Sequence, residues 1–379
     1  MSNNNSSESR VRDPLVRIAK RNTISKPTAW IIRIVIALAA FILCVTFMWI
    51  VGGLSIAESC GAMWKGTFGD PSVPVSVKIK CWDSAIYAAK LLCIAVALAP
   101  AFKMKFWNIG AEGQVLIGAL ATAYVMKNYS AALKGAPLYI VMFAVCIIAG
   151  AIWGFLPAFF KSKWGTNETL FTLMMNYVAI KIMDYFYNMW KGKSSSLDAI
   201  NRETKIGYLP KLFGEQTAIN IIIFLIIAVL MFIYLKKTKQ GYEISVVGGS
   251  QNTARYAGIN VNKVIIRTMI ISGAICGLCG GLTVAGQTHS IASETTAGGY
   301  GFTAIIVAWL AKFNTLAMIP ISLLIIFLEK GTAQLGNSYP AFATGAENVL
   351  IGIVLFVIIG GEFFLNYRLV FRRSEKEAK

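Results

Sequence analysis

The sequence predicts an all-α protein, a polytopic transmembrane helix bundle of about ten spans. Three observations carry this. Apolar residues make up 56% of the chain and charged residues 14%, whereas a soluble domain has about a quarter of its residues charged. Apolar segments of membrane-crossing length recur from residue 31 to residue 365, with no soluble-looking block between them. The basic residues behind the net charge of +18 sit in short clusters at the ends of these segments. They form no patch interleaved with aromatics, so they read as topology signals and not as a nucleic-acid surface.

A helix rises 1.5 Å per residue, so about 20 apolar residues cross a hydrocarbon core of about 30 Å with every backbone polar group paired inside the helix. By that measure the spans fall roughly at 31–56, 84–101, 106–126, 137–160, 167–189, 217–235, 264–287, 300–312, 315–330 and 345–365. The eighth and ninth are short and separated only by Lys312, Phe313 and Asn314, so they read as a broken or re-entrant pair. The division that follows is a basic arm at 1–29, a membrane domain at 30–366 whose largest inner loop is 236–263, and a basic tail at 367–379. With the N-terminus inside, basic residues on inner segments outnumber those on outer loops by about two to one, which places both termini in the cytoplasm. The arm is expected to be mobile near the anionic inner leaflet. The first span is too long for a signal-peptide core and no small-residue cleavage site follows it, so it is expected to be retained.

The seven cysteines lack the paired spacing of a zinc or haem site. Cys276 and Cys279 form a CxxC inside an apolar span with no basic neighbour to stabilise a thiolate, which favours packing over redox chemistry. Cys60 and Cys81 share one expected outer loop, where a disulfide is open to them. His289 is the single histidine, and one histidine makes no metal cluster.

Polar groups within spans cost free energy, so each needs a reason. Arg33 and Arg267 near inner ends, and Lys90 near an outer end, are expected to carry their charge to the interface on their long stems. Lys181 and Asp184, three residues apart, are expected to neutralise each other. The third span opens with Asn108, and Glu112 and Gln114 follow within it. Gly110, Gln114, Gly118 and Ala121 give that span a narrow face suited to close approach by a helix or a solute. In the fifth span Glu168, Thr172 and Asn176 recur every four residues on one face, with Asn176 near the bilayer midplane. Two readings stay open for these residues, hydrogen-bonding glue between helices and lining of a translocation path. Gly273, Gly277 and Gly281 in the seventh span make a small-residue stripe for tight helix crossing.

The inner loop 236–263 contains a short helix that opens at Asn252, an expected N-cap, and closes at Gly258. It suits docking to another protein on the cytoplasmic face. No G-x-x-x-x-G-K-[ST] loop occurs, so this chain is not expected to hydrolyse ATP.

Four ordered runs carry a family resemblance. They are Trp107-Asn108-Ile109-Gly110-Ala111-Glu112-Gly113-Gln114; Gly165-Thr166-Asn167-Glu168-Thr169 continuing to Met174-Met175-Asn176-Tyr177; Ala254-Arg255-Tyr256-Ala257-Gly258-Ile259; and Gly299-Tyr300-Gly301-Phe302 with Ala304-Ile305. Over residues 30 to 365 the chain resembles permease subunits of bacterial ABC importers for simple sugars and nucleosides. It looks most like the larger permease of lipoprotein-dependent nucleoside importers. The resemblance implies a type II-like importer fold in the bacterial cytoplasmic membrane and a path between two permeases; the intramembrane polar residues Asn108, Glu112, Gln114, Glu168, Thr172 and Asn176 are the candidates to line it. It implies a coupling helix that docks on a separate ABC ATPase through Glu243, Gly248, Asn252, Ala254, Arg255 and Gly258. A second, paralogous permease and an external substrate-binding lipoprotein complete the expected assembly. ATP-Mg would bind the ATPase, and this chain would hold no cofactor. The chain departs from the family pattern at Ser250-Gln251, where Asn-Pro is common, and at Trp309-Leu310-Ala311-Lys312, where a Leu-Gly pair is usual. A sugar or branched-chain amino-acid permease is the alternative within transport. An ion-coupled secondary transporter would call for inverted repeats, and the two halves show none.

Overall fold

The computed structural model describes residues 16–20, 25–133, 135–342 and 346–371. The rest of the N-terminal arm, the Arg33 side chain and the end of the basic tail lie outside the described residues. The described residues are helical apart from one short two-stranded ribbon. They divide into two compact units, Met63–Gln334 and a smaller one formed by the two ends of the chain.

In the smaller unit, α1 (Lys26–Gly52) packs against the C-terminal helix at Ala346–Asn366. Ser25 caps α1 by accepting a hydrogen bond from the Thr28 amide, and Gly53 ends it in the left-handed region at φ 66°. Strand β1 (Val16–Lys20) pairs antiparallel with β2 (Tyr367–Phe371), so the chain enters α1 and leaves the C-terminal helix on one side. Residues 16–20, expected within a mobile arm, are thus part of a strand.

The remaining helices follow in chain order: α2 (Ile56–Phe68), α3 (Pro74–Lys103), α4 (Ala111–Tyr129), α5 (Ala136–Trp164), α6 (Glu168–Lys191), α7 (Thr217–Lys237), α8 (Lys239–Gly249), α9 (Gln251–Tyr256), α10 (Val261–Thr283), α11 (Ser293–Thr296), α12 (Tyr300–Leu310) and α13 (Thr315–Ser338). The C-terminal helix is α14. Each of the ten apolar segments read from the sequence overlaps one of these helices, although 31–56 runs past the end of α1 at Gly52, 106–126 starts before α4 at Ala111, and 264–287 continues from α10 into a π turn. Among the described residues, six are long and apolar enough to cross a membrane: α1, α3, α5, α7, α10 with its extension, and α13.

Helix α3 sits at the centre of the larger unit, and from Ala88 to Phe102 every residue is buried. That explains its lack of an amphipathic pattern, since a helix apolar on all sides is one surrounded by protein or lipid. Helix α10 packs on α5 and α4 through glycine. A Cβ on Gly277 would fall against the Cys146 carbonyl oxygen and within 2.9 Å of the Gly150 Cα; one on Gly281 would lie 2.7 Å from Cys146 Sγ and from Thr122 Oγ1. Gly273 faces Gly150 and Gly154 of α5 in the same way. Between helices in lipid, where burial from water supplies little, such close backbone approach is a main source of association energy. Beyond Thr283 the helix widens into a π turn, Val284–Thr288, which frees carbonyl groups. Asn220 of α7 takes one of them, donating to the Leu282 oxygen at 2.8 Å. His289 follows at φ 51°, its ring stacked on Tyr208 at 3.7 Å and its Nε2 3.2 Å from Gln216 Oε1. Burial pushes the His289 imidazole below its usual range, which favours the neutral ring.

Helix α12 is a half-helix of 11 residues, about 16 Å long. Lys312 and Phe313 then both adopt positive φ, reversing the chain into α13, and Phe313 stacks on Phe102 with centroids 6.0 Å apart. All seven cysteines, Cys60 and Cys81 included, are free thiols.

The glycine seam gives a stability prediction. Gly277→Val, which overpacks α10 against α5, lowers the stability of the detergent-solubilised protein by about 2 kcal/mol, read as a fall in apparent Tm. Gly249→Ala, where nothing lies within 4 Å of the added carbon, leaves Tm unchanged.

Candidate functional site

The polar residues singled out in the third and fifth spans converge on one place, the start of α4. Asn108 precedes the helix and folds back on it. Its Oδ1 accepts from the Gly110 amide at 3.0 Å and from Gln114 Nε2 at 3.4 Å, while its Nδ2 donates to Ser272 Oγ of α10 at 3.3 Å. Asn176 reaches across from α6, accepting from the Gly113 amide at 2.8 Å and donating to the Ile109 carbonyl at 2.9 Å. Thr172, one turn earlier, accepts from the Ile109 amide at 3.2 Å and donates to its own helix at Glu168 O, 2.8 Å away. A helix start exposes amides with no intrahelical partner, and here the neighbouring helix α6 satisfies them.

Glu112, the second residue of α4, performs the same service for a different helix. Its carboxylate accepts from the Gly299 amide at 2.8 Å and the Gly301 amide at 2.7 Å, the unpaired donors at the head of α12. The carboxylate is 5% exposed. Gly301 has to be glycine, because a Cβ there would lie 2.7 Å from the Glu112 Cα. Gly298 and Gly299 turn the chain through positive φ, 67° and 75°.

Lys90 holds the other side of this break. Expected to reach an interface, it is instead the seventeenth residue of the 30-residue helix α3 and 1% exposed. The helix begins ten residues before the apolar segment suggested, at Pro74, so a position that looked terminal is central. Lys90 Nζ donates to the Thr296 carbonyl, the last residue of α11, at 2.6 Å, and lies 5.2 Å from the centre of the Tyr300 ring. The Tyr300 hydroxyl in turn donates to Glu329 at 2.6 Å. A cation thus meets the carbonyl end of one helical piece and an anion the amide end of the next, the arrangement that complements helix dipoles.

Glu168 stands apart from this centre. It pairs with Lys161 at 2.7 Å and ties the end of α5 to the start of α6, while Asn167 caps α6 through the Thr169 and Leu170 amides. Lys181 and Asp184 pair at 3.5 Å on the outer face of α6.

The loop 236–263 holds two helices. Thr238 caps α8, whose Gly248 packs so tightly that a Cβ would fall on the Lys103 carbonyl oxygen. Glu243 is bound to Arg267 at 2.9 Å. The cap of α9 is Ser250 and not Asn252: the Ser250 hydroxyl accepts from the Thr253 amide, and one residue of extended backbone at Ser250 separates α8 from α9. Ala254 is buried and anchors the helix, whereas Asn252 and Arg255 are exposed and Tyr256 is 93% exposed. Gly258, at φ 76°, closes α9, with the Ile259 amide bonded back to the Ala254 carbonyl at 2.9 Å.

Among the described residues, six helices long and apolar enough to cross a membrane mark the chain as an integral membrane protein. The chain belongs to the family described as branched-chain amino acid transport system / permease component, which it matches over residues 82–359. Within that family it is an ABC permease of the simple-sugar and nucleoside group, a multi-pass membrane protein and not itself an enzyme. It is 29% identical to the guanosine ABC transporter permease protein NupP of Bacillus subtilis, over 87% of this chain and 90% of that one. It is 28% identical to the glucose ABC transporter permease protein TsgB13 of Haloferax volcanii, over 75% and 77%. It is 26% identical to the nucleoside ABC transporter permease protein NupB of Lactococcus lactis, over 76% and 79%. No solved structure matches the chain.

The clamp at the helix break gives a second prediction. Glu112→Gln replaces one acceptor oxygen with a donor facing an amide and leaves Lys90 short of a counter-charge, so stability falls by about 3 kcal/mol. Glu112→Asp, too short to reach both amides, fails to restore it. Thermal unfolding in detergent reads both; a Tm equal to wild type for Glu112→Gln contradicts the assignment.

Proposed function

We propose that this chain is one of two different permease subunits of an ATP-driven nucleoside importer in a bacterial cytoplasmic membrane. The observation that carries the reading is the near full-length match to the guanosine permease, which covers about nine-tenths of both chains. Bacillus subtilis also has a second guanosine permease, NupQ, to which this chain is 27% identical over 68% of its length. Lactococcus lactis likewise has a second nucleoside permease, NupC, matched at 25% over 67%. Two unequal relatives per organism favour a heterodimer in which this chain is the NupP-like partner. The glucose permease match supports a sugar as the second candidate.

In the proposed mechanism an external lipoprotein delivers the solute, and ATP-Mg binds a separate ATPase that engages α9. Closure of the ATPase moves α8 and α9, which are joined to the bundle through Gly248 and the Glu243–Arg267 pair, and this biases the permeases between outward and inward access. Both termini and the 236–263 loop lie on the cytoplasmic side, in keeping with the excess of basic residues there. Asn108, Glu112, Gln114, Thr172 and Asn176 serve the path by holding its helix starts in place, and the membrane is crossed about ten times.

Proteoliposomes holding the two permeases, the ATPase and the lipoprotein, with ATP at the ATPase face, take up labelled guanosine, and those lacking ATP do not. Uptake of glucose without guanosine transfers the reading to the sugar class. Uptake by this chain alone, driven by an ion gradient, overturns it. A sharper prediction concerns α9. Tyr256→Ala leaves expression and Tm unchanged, because the side chain is exposed, but lowers ATP-driven uptake several-fold.

A further inference from the structure

Helix α6 has two faces. The inward one carries Thr172, Asn176, Ala179 and Met183, all buried. The outward one carries Leu170, Met174, Tyr177, Lys181, Tyr185 and Met189, all exposed within this chain and spaced to fall in one stripe. Lys181 is at its centre, with a side chain 81% exposed beside Asp184 at 37%.

The depth of Lys181 follows from its place in α6. The space beside Gly113 is bounded by Asn176 Oδ1 at 3.0 Å, Ala179 Cβ at 3.1 Å and Trp153 Nε1 at 3.1 Å, so the Asn176–Ala179 turn faces the interior of the bundle. The Lys161–Glu168 pair closes α5 and α6 into an antiparallel hairpin. Lys181 is 13 residues beyond Glu168 and ten before Lys191, so along its own helix it lies about 20 Å from one end and about 15 Å from the other. That is too deep for a lysine stem to reach an interface. A charged pair exposed at that depth does not face acyl chains; such groups face a bundle interior or water. Within this chain the face is uncovered, and it holds a shallow groove of about 510 Å³ lined by Tyr177, Val178, Lys181, Ile182, Tyr185 and Phe186.

We propose that this stripe lines the aqueous path and that Tyr177, Lys181 and Tyr185 contact the solute during passage. The chemistry suits a flat ring bearing a hydroxylated sugar. One tyrosine ring, 57% or 65% exposed, offers a stacking surface, and the Lys181 ammonium and Asp184 carboxylate, a turn away, donate to and accept from hydroxyl groups. An open groove of this kind holds a solute weakly enough to release it. The choice of solute rests on the nucleoside reading; the assignment of the face does not.

The test is thiol labelling of the assembled transporter. Lys181→Cys and Tyr185→Cys are made in a background with Cys60 and Cys81 changed to serine, and labelled with a charged, membrane-impermeant thiosulfonate in the presence of guanosine or glucose. Labelling is mapped by mass spectrometry, so the buried native cysteines do not interfere. The expected result is labelling at both positions that guanosine slows several-fold. Protection by glucose alone keeps the path assignment and removes the nucleoside reading. Labelling that neither solute slows overturns the contact. Modification only by a lipid-soluble maleimide, which marks a lipid face, or by no reagent, which marks a dry contact between subunits, overturns the path assignment. Lys181→Arg, which keeps the charge, retains uptake, and Lys181→Met loses it with Tm unchanged.

Discussion

The larger unit depends on one arrangement, the break between α11 and α12 held from both sides by buried charge. A chain interrupted inside a membrane leaves amides and carbonyls with no water to bond, and each unpaired group there costs several kcal/mol. Glu112 takes the amides of Gly299 and Gly301, and Lys90 takes the carbonyl of Thr296. Each charged residue is itself costly to bury, and each is made tolerable by the backbone it satisfies. Because Glu112 stands on α4 and Lys90 on α3, the break also fixes where three helices meet. Asn108, Thr172 and Asn176 extend the same logic to the start of α4, tying it to α6 and α10.

The glycine seam between α5 and α10 leaves no slack at the core, since their backbones are already in contact at Gly150, Gly273 and Gly277. Exposed side chains include Tyr256 of α9 and the outward stripe of α6. The residues that hold the bundle together are thus distinct from those exposed on α9 and on the outward face of α6.

Much of this is legible in the sequence. Apolar length marks ten of the helices, because hydropathy is a direct record of what surrounds a helix in a membrane, but it passes over α2, whose 13 residues include Glu58 and Lys65. The half-helix α12 is legible in the brevity of its segment, whereas the equally short segment at 315–330 belongs to a helix of 24 residues that continues to Ser338; the polar residues of the third and fifth spans stand out because each needs a partner. The partners themselves were not legible. Glu112 and Gly299 are 187 residues apart, and nothing local in the sequence joins them. Lys90 was misplaced because Lys78, Lys80 and Asp83 break the apolar run before it, although the helix continues back to Pro74. Ser250 was passed over as a cap in favour of Asn252 because both residue types cap helices and only the extended backbone at Ser250 decides between them. On α6, a four-residue period identified a face without saying which way it points.

The direction of that helix is the claim on which the separation of frame from path rests. A structure of the assembled transporter in lipid nanodiscs tests it most directly. The account predicts Lys181 in a water-filled space between the two permeases, with Asn176 buried behind it against α4. Lys181 surrounded by lipid, with Asn176 facing the space between the subunits, contradicts it.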